Sequence, residues 1–285
     1  MPSNTIILYH ANCLDGTGAK YAAWKKFGDE ASYIPVQYGS PVPEEVMNST
    51  GKNVFVLDFS FSREVLLELR TRHFVMVIDH HKTAAADIAD LAGCIFDMSK
   101  SGAVLAWEYF HPGVPVPDTL LHVQDRDLWQ WKMFNTKEIT AGLTELEGDM
   151  KEWDTTRTHK AFESGSAVCK YIDRSVDSAT KDGRVVFVPL AKFGLGKVGI
   201  VNATNNVSEI CQAIYTKYPD VDAAISYFID PKGCVILSFR SDNKKADSVD
   251  VSAIAKTFDN GGGHKTAAGG RTTLLVLQQI INGEY

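Results

Sequence analysis

Short apolar runs, each ending in an ionisable residue, recur along the first part of the chain. Thr5-Ile6-Ile7-Leu8-Tyr9 runs into His10, Val54-Phe55-Val56-Leu57 into Asp58, and Val75-Met76-Val77-Ile78 into Asp79-His80-His81-Lys82. Continuous Val/Ile/Leu/Met runs of this length suit strands buried on both faces of a parallel sheet. Between them the pattern changes to a helical one. Residues 19–27 are rich in Ala and Lys, and in 63–72 Val65, Leu66 and Leu69 fall on one face behind a capping Ser62. Residues 31–36 read as another strand, set towards an edge by Pro35, and 94–97 as a short one. This alternation predicts βαβ units and a largely parallel sheet. In such a sheet the carboxyl ends lie side by side and form the ligand-binding edge. His10, Asp58 and Asp79-His80-His81 are therefore expected together. Buried acids and imidazoles are costly unless they meet a cation, a phosphate or each other. The stretch His10-Ala11-Asn12-Cys13-Leu14-Asp15-Gly16-Thr17-Gly18 reads as a polar loop that adds Asn12 and Asp15 to this edge. It leads into a helix N-terminus, which favours an anion.

Further along, helices are predicted over 101–111 and 117–123. The second leads into Gln124-Asp125-Arg126-Asp127, where Asp125 is the candidate for a last ligand. Residues 136–153 read as helical. Residues 159–180 form a long helix, with Ala161, Phe162, Ala167, Val168, Tyr171 and Ile172 at helical spacing. Alternation then resumes: strands over 185–188 and 197–202, a helix over 207–218, paired strands over 221–229 and 234–239, a helix over 251–258, and a last segment over 274–281. The expected organisation is an α/β chain with a mainly parallel-sheet domain over 1–155, a helical linker over 156–183 and a smaller α/β domain over 184–285. Within the second domain, Gly261-Gly262-Gly263-His264 and Ala267-Ala268-Gly269-Gly270 read as an anion-binding loop. Glycines let a backbone approach a ligand and present its N–H groups. His264 can donate to a phosphate oxygen, and Arg240, in Ser238-Phe239-Arg240-Ser241, supplies a guanidinium clamp.

Composition narrows the partners. The chain has 285 residues, 45% hydrophobic and 22% charged, which is ordinary for a globular protein. A formal charge of -6 argues against an extended track for long duplex nucleic acid, and leaves room for a small anionic ligand. The five cysteines (Cys13, Cys94, Cys169, Cys211, Cys234) contain no CxxC pair, as expected for reduced thiols in a cytoplasm. No signal peptide is read at the N-terminus, and no apolar run approaches the ~20 residues of a membrane span.

Asp79-His80-His81 after one strand, His10 and Asp15 after the first, Asp58 after another and Asp125 downstream resemble the four motifs of the DHH phosphoesterase superfamily. The glycine stretch with His264, Ser238-Phe239-Arg240-Ser241 and Val249-Asp250-Val251-Ser252 resembles the first type of DHH-associated C-terminal domain. The resemblance covers nearly the whole chain. It implies a manganese-dependent hydrolase of phosphodiester or phosphoanhydride bonds, within a group that includes RecJ exonucleases, nano-RNases, cyclic-dinucleotide phosphodiesterases, exopolyphosphatases and manganese pyrophosphatases. It implies one or two Mn²⁺ ions, with Mg²⁺ or Co²⁺ as substitutes. The implied ligands are His10, Asp15, Asp58 (as a bridge), Asp79, His80 and Asp125. His81 and Asp79 are the implied catalytic pair. Asn12, Arg240, Ser241, Gly261, Gly262, Gly263 and His264 are the implied substrate contacts.

The first motif departs from the family pattern, which has His followed by two Asp residues two apart. Here only Asp15 is present, and Asn12 or Thr17 stands where a second carboxylate is expected. Asp259-Asn260 replaces a position where another glycine is common. The leading expectation is a phosphodiesterase acting on short oligonucleotides or cyclic (di)nucleotides, with homodimer formation left open. A pyrophosphatase or polyphosphatase is a second reading, and a nucleotide-binding regulator with an impaired metal site a third.

Overall fold

A computed structural model describes residues 4–146, 149–156, 158–245 and 247–285. The chain divides into two compact units, Met1–Cys169 and Lys170–Tyr285. The first holds β1 (Thr5–His10), α1 (Leu14–Phe27), β2 (Ser32–Val36), α2 (Glu44–Met47), β3 (Asn53–Leu57), α3 (Arg63–Arg70), β4 (Phe74–Asp79), α4 (Lys82–Ile88), β5 (Cys94–Phe96), α5 (Gly102–Phe110), α6 (Asp118–Asp127), α7 (Thr136–Thr144) and α8 (Met150–Thr155). The unit boundary falls inside α9 (Thr158–Ala179).

All five strands of the first unit run parallel, in the order β2-β1-β3-β4-β5. Alternate residues of each strand enter different cores. Ile7, Phe55 and Leu57 pack under α1, α5 and α6, while Ile6, Leu8, Val54 and Val56 meet Val46 of α2, Leu66 and Leu69 of α3, and Ile88 of α4. Burial on both faces explains the unbroken apolar runs. Each fully buried Ile, Leu or Val contributes about 1.5–3 kcal/mol. Pro35 lies on β2, the edge strand, where its missing N–H costs no central ladder bond.

Two boundaries differ from the sequence reading, and both matter for the site. α1 begins at Leu14, so Asp15 lies in the first helical turn and not on a loop. α6 continues through Asp127, so Asp125 and Asp127 share a helix. The stretch read as one helix over 136–153 forms α7 and α8, and residues 147–148 lie outside the described residues.

The second unit contains β6 (Val186–Leu190), β7 (Leu195–Asn202), α10 (Val207–Lys217), β8 (Ala223–Ile229), β9 (Val235–Arg240), α11 (Val251–Ala255), β10 (Asp259–Gly263), β11 (Ala267–Thr272) and α12 (Leu274–Ile281). Its six-stranded sheet runs β10-β11-β9-β8-β7-β6. Only β7 and β8 pair in parallel. Ile210 and Ile214 of α10 close one side, and α11 and α12 pack with Leu237 and Phe239 on the other. The glycine stretch is a strand pair here, not a loop. β10 is the edge strand, and its register shifts between Asp259 and Gly262.

Candidate metal centre

β1, β3 and β4 are neighbours in the first sheet, so His10, Asp58, Asp79 and His80 meet at its carboxyl edge. Asp58 stands at the centre. It is 1% exposed, with Oδ1 3.2 Å from His80 Nε2 and Oδ2 3.5 Å from His10 Nδ1. Among the described residues neither Asp58 oxygen has a hydrogen-bond partner, and nor does His10 Nδ1, although all three are buried. Asp58 also has a left-handed backbone, with φ of 60°. Such conformations cost energy for residues other than glycine and persist where the surroundings fix them. Here the Asp58 N–H donates to the Ile78 carbonyl (2.9 Å).

Asp15 reaches the same place from α1. Its Oδ2 accepts from the Gly102 N–H (2.6 Å) and its Oδ1 from the Ala103 N–H (3.0 Å), satisfying the start of α5. Asp15 Oδ2 also lies 3.5 Å from His80 Nε2. The N-terminus of α5 comes close because residue 102 is glycine: a Cβ there would sit 2.6 Å from both Cβ and Oδ1 of Asp58.

Asp79 faces His81, not His80. Its Oδ1 accepts from His81 Nδ1 (2.7 Å) and from the His80 N–H (2.7 Å), and its Oδ2 from the Ser60 hydroxyl (2.8 Å). An ionised carboxylate can only accept, so Nδ1 of His81 carries the hydrogen and Nε2 is its reactive nitrogen. The Tyr38 ring lies edge-on to both His10 and His81, at 5.2 and 5.4 Å between centroids.

The charges push one another. Burial alone would raise Asp58, but His10 and His80 outweigh it and hold the carboxyl well below its usual range. Asp15 moves the other way: burial, then the Asp58 and Asp127 carboxylates, push it well up. Burial opposes a charged His80, yet Asp127, Asp58 and Asp15 keep its pKa well above the ordinary imidazole value. His81 rises as well, because Asp79 overcomes its burial. The edge therefore gathers several buried acids around its imidazoles, the electrostatics that a divalent cation relieves.

Asp125 does not join this group. Its oxygens accept from the Lys132 and Met133 N–H groups (2.8 and 3.0 Å) and from the Thr136 hydroxyl (2.6 Å), tying α6 to the start of α7. Asp127 lies beside the group instead, with Oδ2 3.5 Å from His80 Nε2 and the side chain 26% exposed. Two residues apart on a helix means about 200° of rotation, so the pair cannot face the same way. A sequence signal existed: Asp127 is four and seven residues beyond the core residues Val123 and Leu120, on their stripe. Asp125 instead follows His122, whose ring contacts the same Thr136 hydroxyl.

The two residues that stand where the second carboxylate of the first motif is expected differ in their surroundings. Asn12 is exposed with φ of 54°, and the Thr17 hydroxyl donates to the Cys13 carbonyl (3.0 Å). Cys13, which the sequence reading passed over, lies near the sheet edge. Donor atoms of His10, Cys13 and Asp58 lie within 4.8 Å of one another, as do those of Asp15, Asp58 and His80, and those of Asp58, Asp79 and His81. Asp58 belongs to all three sets. Its orphaned oxygens and the mixed carboxylate–imidazole donors fit a divalent-cation centre.

In the second unit several of the expected substrate residues are engaged by other residues of that unit. The Ser241 hydroxyl donates to the Val249 carbonyl (2.7 Å) and is buried. The Arg240 guanidinium donates to the Phe239 carbonyl (2.9 Å) and to the Ser208 hydroxyl (3.3 Å). A Cβ on Gly261 would lie 1.7 Å from the Ala255 carbonyl oxygen, so glycine there lets β10 pack on α11. His264 follows β10, and its N–H donates to the Ala267 carbonyl (2.8 Å).

No protein-family model matches the chain. An uncharacterised protein of Acanthamoeba polyphaga mimivirus is 31% identical over 285 aligned positions, which cover 93% of this chain and 66% of that protein. The chain thus spans just under two thirds of this relative. Among solved structures, a pGpG-specific phosphodiesterase, PggH of Vibrio cholerae, matches with a TM-score of 0.52 at 11% identity, over 99% of both chains. RecJ of Thermus thermophilus, solved in complex with Mn²⁺, matches with a TM-score of 0.57 at 13% identity, over 98% of this chain and 51% of RecJ. These likenesses show that the chain has a two-part α/β fold of the DHH type.

Proposed function

We propose that the protein is a divalent-cation-dependent phosphoesterase that hydrolyses phosphodiester bonds in short oligonucleotides or cyclic dinucleotides. The observation that carries this reading is Asp58, a buried carboxylate with two unbonded oxygens shared by neighbouring sets of donor atoms. The fold held in common with a pGpG phosphodiesterase and a Mn²⁺-bound RecJ supports the reaction class and Mn²⁺ as the ion. His10, Asp15, Asp58, His80 and Asp127 are the residues that would hold it. When bound, the cation supplies Lewis-acid charge to the phosphoryl oxygens and acidifies a water.

The chain's own residues do the rest. Asp58, held in a strained turn, fixes the spacing of the two donor sets. Asp15 ties that spacing to α5. Asp79 orients His81, whose imidazole would donate a proton to the leaving oxygen or stabilise phosphate charge. Asp79 is a positioning residue in this scheme. Arg240, His264 and the edge strand with Gly262 and Gly263 are assigned to substrate phosphate, since strand edges and guanidinium groups both donate to anions. The formal charge of -6 favours short substrates over long duplexes.

The test is a panel of di- to pentanucleotides, cyclic dinucleotides and pyrophosphate, assayed with Mn²⁺ and with a chelator. Mn²⁺-dependent release of mononucleotides from the short nucleotides is expected. Turnover confined to pyrophosphate would move the protein to the phosphoanhydride branch, and binding without turnover of any of these would make it a regulator.

A further inference from the structure

We propose that Cys13 is a thiolate ligand of the metal centre and makes the His10 side of it prefer a softer ion than the Asp15–His80 side. The inference rests on the reading of this edge as a metal centre and assigns one of its ligands.

Cys13 occupies the N-cap position of α1, where the Gly16 N–H faces its sulfur without a regular capping hydrogen bond. That position favours Ser, Thr, Asp or Asn, whose oxygens accept a helix N–H, so capping does not account for a cysteine. The sulfur lies within 4.8 Å of donor atoms of His10 and Asp58. The second observation is independent of the cysteine: both Asp58 oxygens and His10 Nδ1 are buried without hydrogen bonds. Three donors of three kinds, nitrogen, sulfur and oxygen, therefore converge where Asp58 and His10 have ion-pair contacts of 3.2–3.5 Å but no hydrogen bonds. The opposite set, Asp15, Asp58 and His80, offers only carboxylate oxygen and imidazole nitrogen. Thiolate shifts preference towards Zn²⁺ and Co²⁺, while carboxylate-rich sites suit Mn²⁺ and Mg²⁺. On ligation the thiol proton passes to bulk water, and the sulfur lone pair forms the bond. Asp58, common to both sets, would then join two unlike halves.

The test uses the full chain, reduced and stripped of metal, titrated with Co²⁺ and followed by absorption alongside equilibrium dialysis. The wild type is expected to bind Co²⁺ and show a near-ultraviolet sulfur-to-cobalt charge-transfer band. Cys13→Ser and Cys13→Asp should lose that band while still binding cobalt. In competition, the preference for Zn²⁺ over Mn²⁺ should fall by about tenfold or more in Cys13→Asp. Cobalt bound by the wild type without the band, or a band unchanged in either variant, would overturn the role of Cys13 and leave the metal centre standing. A wild type that binds no cobalt would overturn both.

Discussion

The carboxyl edge of the parallel sheet and the glycine strand pair of the second unit were both conspicuous for the same reason: each concentrates residue types that ligand chemistry uses. In the structure they differ in whether those groups are already engaged. At the sheet edge, both Asp58 oxygens, His10 Nδ1 and the Tyr38 hydroxyl are buried without hydrogen bonds. In the second unit, Ser241 serves the Val249 carbonyl and Gly261 makes room for the Ala255 carbonyl. Buried polar groups are nearly always satisfied in native folds, so an unsatisfied cluster marks a place kept ready for something absent from the chain itself. A motif residue whose atoms are all accounted for is first of all a structural residue.

The contrast can be broken most decisively at Asp58. Asp58→Asn keeps the shape and removes the charge, and should lower Mn²⁺-dependent kcat/KM on the order of 10³-fold, about 4 kcal/mol of transition-state stabilisation. Near-wild-type rates would remove this residue from the centre. A paired substitution comes next. Asp127→Asn should weaken Mn²⁺ binding by about 10–100-fold, as changes around metal sites do. Asp125→Asn should leave that affinity unchanged and cost about 1–3 kcal/mol of stability by orphaning the N–H groups it serves. Calorimetric titration and denaturant melts separate the two, and a reversed pattern would restore Asp125 as the ligand.

Acidity offers a third test. His80 is raised above 6.5, so its stabilising contribution is present below that value and is lost as pH climbs through the folded pKa. The raised Asp15 and Asp127 carboxyls act with the same sign, because the unfolded chain releases their protons first. The depressed Asp58 and Asp79 act oppositely, and their contribution disappears only on acidification below 3.8. The chelated protein should therefore melt lower as pH rises through the neutral range, and added Mn²⁺ should stabilise it increasingly. A flat difference between the Mn²⁺ and chelator melts across that range would contradict the raised His80, Asp15 and Asp127. The smallest effect belongs to the second unit: Ser241→Ala should cost about 1 kcal/mol and leave Mn²⁺ affinity untouched.

The parallel sheet was legible because two-sided burial writes itself as unbroken apolar runs, and the residue after each run then falls at a known edge. His10, Asp58, Asp79 and His80 follow those runs and meet at that edge in the structure. Asp127 and Cys13, which also lie near that edge, depend instead on where the helices begin and end. Ending α6 at residue 123 made Asp125 and Asp127 equivalent turn residues, whereas continuing the stripe of Leu120 and Val123 would have separated them. Starting α1 at residue 19 left Cys13 in an undefined loop. The β10–β11 pair was hidden by composition, since strands seldom carry so much glycine; only the packing of β10 on α11 gives residue 261 a reason to lack a side chain.

Asp15 carries one consequence further. The same carboxylate that faces His80 also secures the first two N–H groups of α5. Loss of the acid would disturb the architecture as well as the chemistry. A descendant without the proposed hydrolysis could shed His10 or Asp127 at little structural cost, yet would be held to an acid at position 15. That single retained residue would then be a poor witness to activity, and the imidazoles a better one.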